Sequence, residues 1–198
     1  MVLVHINGQP VNFPTDVHDL SLKQFFAIKD AKDILDEISA CSGIERNKIE
    51  NFKDLKTIQA ANALLATLRI SIEAGFDNAT FPPHVTIGLK KVTVPKELRL
   101  EPIGAFMSVN DILAEHTNKM LKDAAKQGKT LNSDEINFTD CIPKVLAHYF
   151  FLPYHGESVL YSDIKAESPE YMEKIMNIPL TQAVPIGNFF FLKYPHLI

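Results

Sequence analysis

Four residues in the second half of the chain have the types that a metal ion or an acid–base reaction would use: His148, His155, Glu157 and Asp163. A zinc set built on one helix face wants two histidines four residues apart, and a thiolate knuckle wants paired cysteines at short spacing. Here Pro153 falls between the two histidines, and their spacing fits no zinc signature. With Tyr149, Phe150 and Phe151 beside it, His148 reads as a helix residue with one hydrogen-bonded ring nitrogen. A metal-dependent enzyme using His148, His155 and Glu157 is kept as the second alternative.

Gly128-Lys129-Thr130 ends as a phosphate-binding loop ends. That loop also needs a glycine five residues earlier, to bend the backbone around the phosphates, and a buried strand before it. Asp123 occupies the glycine position and a lysine-rich helical stretch precedes it. His5, His18, His84, His116 and His196 are scattered singly, whereas a catalytic histidine works with a nucleophile or acid held by a third group. No GxSxG or HExxH run occurs, and the acidic residues of AIKDAKDILDE alternate with lysines as on a solvated helix face. No catalytic, cofactor-binding or metal residue is assigned, no cofactor is expected, and the expected class is not an enzyme.

Composition narrows the partners. The 198 residues suit one large domain or two small ones; 46% are hydrophobic and 22% charged, as in an ordinary globular protein. A net charge of −4 offers no general attraction for phosphate backbones, so nucleic acid is not an expected partner. The densest apolar run, VLAHYFFLPY, is about half the ~20 residues a membrane helix needs, and MVLVHINGQP lacks the basic start of a signal peptide. The expectation is a soluble chain made in a cytoplasm, without a membrane partner. Cys41 and Cys141 stand far apart in sequence and read as buried reduced thiols.

The elements that must position these residues follow from local pattern. VLVHI and PVNF flank Asn7-Gly8, the pair that favours a tight hairpin turn. Ser21 and Gln24 then form a capping box, and Phe25, Phe26, Ile28, Ile34 and Leu35 place one apolar stripe along the helix it opens. Ser42 and Glu45 repeat the spacing before IERNKIENF. Leu55, Ile58, Ala61, Leu65 and Leu68 mark the longest helix, closed by Gly75, and FDNATFPP has the chemistry of a linker. After a second hairpin with Lys90-Lys91 near its turn, helices are expected over about 102–125 and Thr139–Leu152, with Pro143 in the first turn of the latter. KQGKTLNSDE between them reads as an exposed loop, and Ser168-Pro169 starts another helix. The predicted fold is α+β and mostly helical: two short β-hairpins, each followed by helices, in modules over 1–80 and 81–198 or in one continuous globular unit.

VHINGQPVNFP at 4–14 and VTIGLKKVTVP at 85–95 share valine, isoleucine, valine and proline at the same places. Phe25 and Phe106 continue the offset, and KDILDE resembles NDILAE after a slip of three. Two explanations stay open: a duplicated unit, or the residues that any hairpin-then-helix requires. The closing NFFFLKYPHLI is unusually apolar for a terminus. It either docks into the core or meets another protein, through Phe189, Phe190, Phe191, Leu192, Tyr194, Leu197 and Ile198, with Phe81 and Pro82-Pro83 at the rim.

The order of these signals resembles a known group. The hairpin ending in FPTD, then LSLKQF, SGIERNKIENF and a leucine-rich helix, is similar to small proteins from late structural gene clusters of tailed bacteriophages. VTVPKELRLEPIGAF is similar to the matching mid-chain segment. The group includes tail assembly chaperones and, in crAss-like podoviruses, small cargo proteins packaged in the head or tail. The resemblance implies a non-enzymatic virion or assembly protein, tail- or portal-associated or packaged, binding other virion proteins in an oligomeric assembly. Its place would be the virion, or the host cytoplasm during assembly. A β-grasp-like cellular adaptor built on residues 2–40 is the first alternative.

Overall fold

A computed structural model describes residues 1–6, 8–52, 54–74, 81–95, 102–132, 135–156 and 158–193. The architecture is α+β and mostly helical, with two antiparallel hairpins each followed by helices. Two compact units are present: Met1–Ala79 with Pro179–Thr181, and Thr80–Ile178 with Gln182–Ile198.

In the first unit, β1 (Val2–Ile6) and β2 (Gln9–Phe13) pair with Val4 opposite Val11 and Ile6 opposite Gln9. Asn7 lies outside the described residues. Strand alternation turns Ile6 and Phe13 into the core. The capping box forms as expected: the Ser21 hydroxyl accepts from the Gln24 amide at 3.3 Å and the Gln24 side chain accepts from the Ser21 amide at 3.1 Å. The helix it opens is shorter than the apolar stripe predicts. It divides into α1 (Leu22–Lys29) and α2 (Ile34–Ser42), because Asp33 is extended and its carboxylate accepts from the Leu35 and Asp36 amides, starting a new helix.

The second capping box does not form. Gly43, at φ 72°, ends α2, and the Ser42 hydroxyl accepts from Ile44. The following helix α3 (Arg46–Glu50) has no side-chain cap. Arg46 instead ties it to α2, its guanidinium donating to Asp33 and Asp36 while also reaching Glu50. These contacts hold the Asp33 and Asp36 carboxyls below their usual range. Helix α4 (Leu55–Glu73) buries Ala61, Leu65 and Leu68, but Leu55, expected on the same stripe, is 76% exposed. Gly75 is outside the described residues.

In the second unit, β3 (His84–Ile87) and β4 (Lys90–Thr93) pair with Val85 opposite Val92 and Ile87 opposite Lys90. The turn is Gly88-Leu89, with Gly88 at φ 61°, so Lys90 and Lys91 belong to the strand. The register repeats that of the first hairpin, and Ile87 and Val94 are buried where Ile6 and Phe13 are. The likeness then stops. KDILDE spans the start of α2, whereas NDILAE lies inside the uninterrupted α5 (Ile103–Lys126).

A 3-10 turn over Thr139–Cys141 precedes α6 (Ile142–His155), which has Pro143 in its first turn. Pro153 does not end α6: it stands in the last turn, where the break it makes in the hydrogen-bond ladder is short. Short α7 (Asp163–Ala166) and α8 (Pro169–Met176) follow, and the apolar tail forms α9 (Leu180–Lys193). The core is organised on α6, buried at every residue from Ile142 to Phe151 except Lys144 and packed against α5, α7, α8 and β4. Gly187 of α9 lets Ile142 approach; a Cβ there would stand 2.8 Å from the isoleucine. Cys41 and Cys141 are buried free thiols, and burial pushes each to about 12. Among the described residues, no helix is long and apolar enough to cross a membrane.

Phe13 is fully buried, so Phe13→Ala is expected to cost about 3–5 kcal/mol of stability. Chemical denaturation, compared with the exposed Val2→Ala control, measures the loss.

Candidate functional site

Five polar side chains of the second unit, Lys144, Glu167, His148, Tyr161 and Ser108, meet in one chain of contacts. α6 carries His148 into the interior, 2% exposed, where an uncompensated imidazole would be costly. Both of its nitrogens have partners: Nδ1 is 2.5 Å from the Tyr161 hydroxyl and Nε2 is 3.2 Å from Glu167 Oε1. Glu167 Oε2 accepts from Lys144 Nζ at 2.7 Å. At the other end, the Tyr161 and Ser108 hydroxyls are 3.0 Å apart, and Ser108 lies 3.0 Å from the Gly104 carbonyl of its own helix.

Sequence places these groups by simple means. Gly104 and Ser108 are four residues apart on α5, so they share a face. Tyr161 lies flat on that face because residue 104 has no side chain: an added Cβ would come 2.8 and 2.9 Å from two ring carbons. Lys144 and His148 share a face of α6 by the same spacing, and Glu167 closes α7.

Proton counting defines the state of the chain. Burial lowers the His148 pKa, and the Glu167 carboxylate, which opposes that, does not overcome it. Burial would raise Glu167, but Lys144 and His148 outweigh it and lower its pKa. Neutral His148 donates from Nε2 to Glu167 and accepts at Nδ1 from Tyr161. The Ser108 hydrogen can then serve Tyr161 or the Gly104 carbonyl, not both. A proton added to Nδ1 would let all four contacts be made, at the cost of a buried charge. The chain therefore works as a strut from α6 to α5, enclosed at His148 and open to solvent at its Glu167–Lys144 end.

Toward α5, exposed apolar side chains lie on the elements that this strut joins. Ile103 and Met107 on α5 are 78% and 58% exposed, and Leu160 and Ile164, either side of Tyr161 and the start of α7, are 88% and 82% exposed. Helices α5 and α7 pack together, so these side chains border one seat. Sequence reading passed over all four residues, since each looks like an ordinary core position. The signal was present in the four-residue step from Ile103 to Met107, which falls off the stripe Ala105, Val109 and Leu113 that α5 buries.

The residues singled out from sequence lie elsewhere or in other roles. His148 has both nitrogens engaged, and His155 packs its ring on Phe151 and Tyr171 at 4.6 and 5.2 Å. Glu157 lies outside the described residues, among which no cluster of three potential ligands could hold a metal. Gly128-Lys129 closes the C-terminus of α5, donating to Ala125 and Ala124; carbonyls rather than amides gather at that end. His116 donates from Nε2 to the Asn137 carbonyl at 2.8 Å. In the tail, Phe190 is buried edge-on against Tyr149 at 4.0 Å. Phe189 stacks with Phe81 at 4.9 Å, and Phe191 lies 5.3 Å from Phe138. The Leu192 side chain and Tyr194, Leu197 and Ile198 are outside the described residues. No protein-family model, curated protein or solved structure matches this chain.

Two outcomes follow. Gly104→Ala should displace Tyr161 and destabilise the second unit by about 1–3 kcal/mol, with a perturbed His148 imidazole resonance as its NMR signature. Because folding lowers the His148 pKa below 6.5, the unfolded chain binds more protons just below that pH. The contribution of neutral His148 is present above pH 6.5 and is lost as pH falls toward the folded-state value. Burial and neighbouring lysines lower His155 in the same direction. Denaturant titrations at stepped pH should therefore show a slope that His148→Gln and His155→Gln each reduce separately.

Proposed function

We propose that this protein is a component of a tailed-bacteriophage particle or of its assembly, acting by protein–protein binding rather than catalysis. The observation that carries the reading is the group of exposed apolar side chains Ile103, Met107, Leu160 and Ile164 around the Tyr161 seat. Large apolar groups gathered at a surface are characteristic of contact sites. The buried strut beneath them holds the two helices that present them, which pre-organises the face and lowers the ordering cost of association. The phage assignment is supported by the resemblance of the hairpin, SGIERNKIENF and EPIGAF segments. Its place is the virion or the host cytoplasm during assembly, with other virion proteins as partners.

A β-grasp-like adaptor would need its hairpin within a larger mixed sheet; the described strands pair only within each hairpin, and that reading is taken no further. Mass spectrometry of purified particles and of assembly intermediates tests the proposal. The chain is expected in one or both, and Leu160→Asp with Ile164→Asp is expected to remove it while leaving the circular dichroism spectrum unchanged. Absence from both fractions would overturn the assignment.

A further inference from the structure

Each strand of the two hairpins has an outer edge, and the four edges are not alike. The two-residue connection between Ile6 and Gln9 makes that pair exchange both backbone hydrogen bonds, and alternation repeats the pattern at Val4–Val11 and Val2–Phe13. Leu3 and His5 therefore turn their N–H and C=O groups away from β2. On β2 the outward positions are Pro10 and Asn12, and Pro10 has no N–H to offer. β4 carries Lys90 and Lys91 and packs on α6, and β3 follows directly on Pro82-Pro83. Proline, lysine and a covering helix are the usual guards of an exposed edge. β1, VLVHI, has none of them, and Val2 and Leu3 are 44% and 61% exposed. Among the described residues, neither Leu3 nor His5 makes a backbone hydrogen bond outside the hairpin.

Against β1, within the same unit, lies a groove of about 300 Å³, with Val4 and Ile6 on the strand side and Thr57, Ala60 and Ala61 of α4 on the other. Its two charged groups, Asp54 and Lys56, have opposite signs and give a charged ligand no net attraction. Asp54 is also engaged at the start of α4, where its carboxylate accepts from the Lys56 amide and the Thr57 hydroxyl at 3.0 and 2.9 Å. What remains is a row of unpaired backbone groups beside small and apolar side chains. A helix cannot use such a row, because its own backbone groups are bonded internally. A second copy of β1 brings core-facing side chains already enclosed in their own unit, where Ile6 is 2% exposed, and leaves the groove unfilled.

We propose that β1 takes an extended segment of a partner protein as a third strand, seated in the groove between β1 and the start of α4. Backbone groups of the segment pair with those of Leu3 and His5, and every second side chain, apolar and uncharged, points into the groove toward Ala60 and Ala61. Main-chain bonds supply affinity for an extended segment as such. The two alanines leave the room that a β-branched side chain fills. This surface lies in the first unit, on other residues than the face around Tyr161, and does not depend on the phage assignment.

The probe is an end-blocked peptide of about six residues alternating threonine and valine, titrated into the full chain and followed by amide NMR. Saturable shifts are expected at Leu3, His5, Thr57 and Ala60, with amide exchange at Leu3 and His5 slowed at least ~10-fold by saturating peptide. N-methylation of alternate residues removes the donors along one edge of the peptide. Methylating one set, the threonines or the valines, should therefore weaken binding at least ~10-fold more than methylating the other. Leu3→Pro removes an outward donor and leaves the hairpin ladder intact, and Ala60→Phe, at an exposed helix position, fills the groove; each should abolish the shifts. Should Leu3→Pro lose its fold by circular dichroism, Ala60→Phe decides. The Leu160 and Ile164 variant should bind the peptide unchanged. No saturation at millimolar peptide, equal loss with both methylated sets, or shifts at Asn12 on the β2 edge instead would each overturn the proposal. Shifts at Leu3 and His5 on concentrating the chain without peptide would make a second copy the occupant and overturn it too.

Discussion

The second unit depends on how a single imidazole is accommodated. His148 sits on an apolar helix, among the buried residues Val145, Leu146, Phe150 and Phe151 of its own sequence. A polar ring there is tolerable only when both nitrogens are used, and the two groups that use them come from the segment after α6. Tyr161 and Glu167 are thereby drawn inward from opposite ends of α7, a helix of four residues too short to hold itself. The same tyrosine reaches Ser108 and lies on Gly104, so α5 is set by the chain that satisfies His148. Replacing the histidine by a hydrophobic residue would remove the burial cost but also the reason for α7 to be where it is. The polar chain contributes position more than stability.

Packing around α6 follows from its burial on every side but the one that Lys144 takes. Tyr149 extends to the end of the second hairpin, its hydroxyl donating to the Pro95 carbonyl, and its ring meets Phe190 of α9 edge-on. Phe151 takes Tyr161 and Tyr171 at 5.5 and 6.2 Å, joining the aromatic cluster at the end of α6 to the polar strut. The tail aromatics are thus partly spent inside the unit. Phe190 completes the core, and Phe189 and Phe191 each have a ring neighbour.

Much of this was legible where chemistry is local. The Ser21 box, the proline starts at Pro143 and Pro169 and both hairpins act through neighbouring residues, and sequence alone carries that information. The misreadings share a cause. Asp33 and Ser42 can each bond to more than one nearby amide; Arg46 holds the Asp33 carboxylate from a distant point in sequence, and Ser42 takes the Ile44 amide rather than one in α3. Pro153 looks like a stop but stands so near the end of α6 that little ladder remains to be lost. The polar strut was only half visible: spacing identifies Lys144 and His148 as neighbours, but Tyr161 and Ser108 join them through close approach at Gly104. That approach depends on the absence of a Cβ, and a glycine in a sequence does not say what will lie against it.

Amphipathicity explains why the exposed stripe escaped notice. A helix with apolar residues on two faces looks, in a one-dimensional pattern, like a helix with one broad face. Burial separates them: α6 covers the line through Ala105, Val109 and Leu113, and the line through Ile103, Met107 and Leu121 stays in water. Neither hydrogen bonding nor helix propensity asks for isoleucine or methionine there, since lysine, glutamate or glutamine would serve the helix as well and the solubility better. A single exposed apolar residue needs no reason. A series of them along one face of a helix is the pattern of a surface that meets a partner.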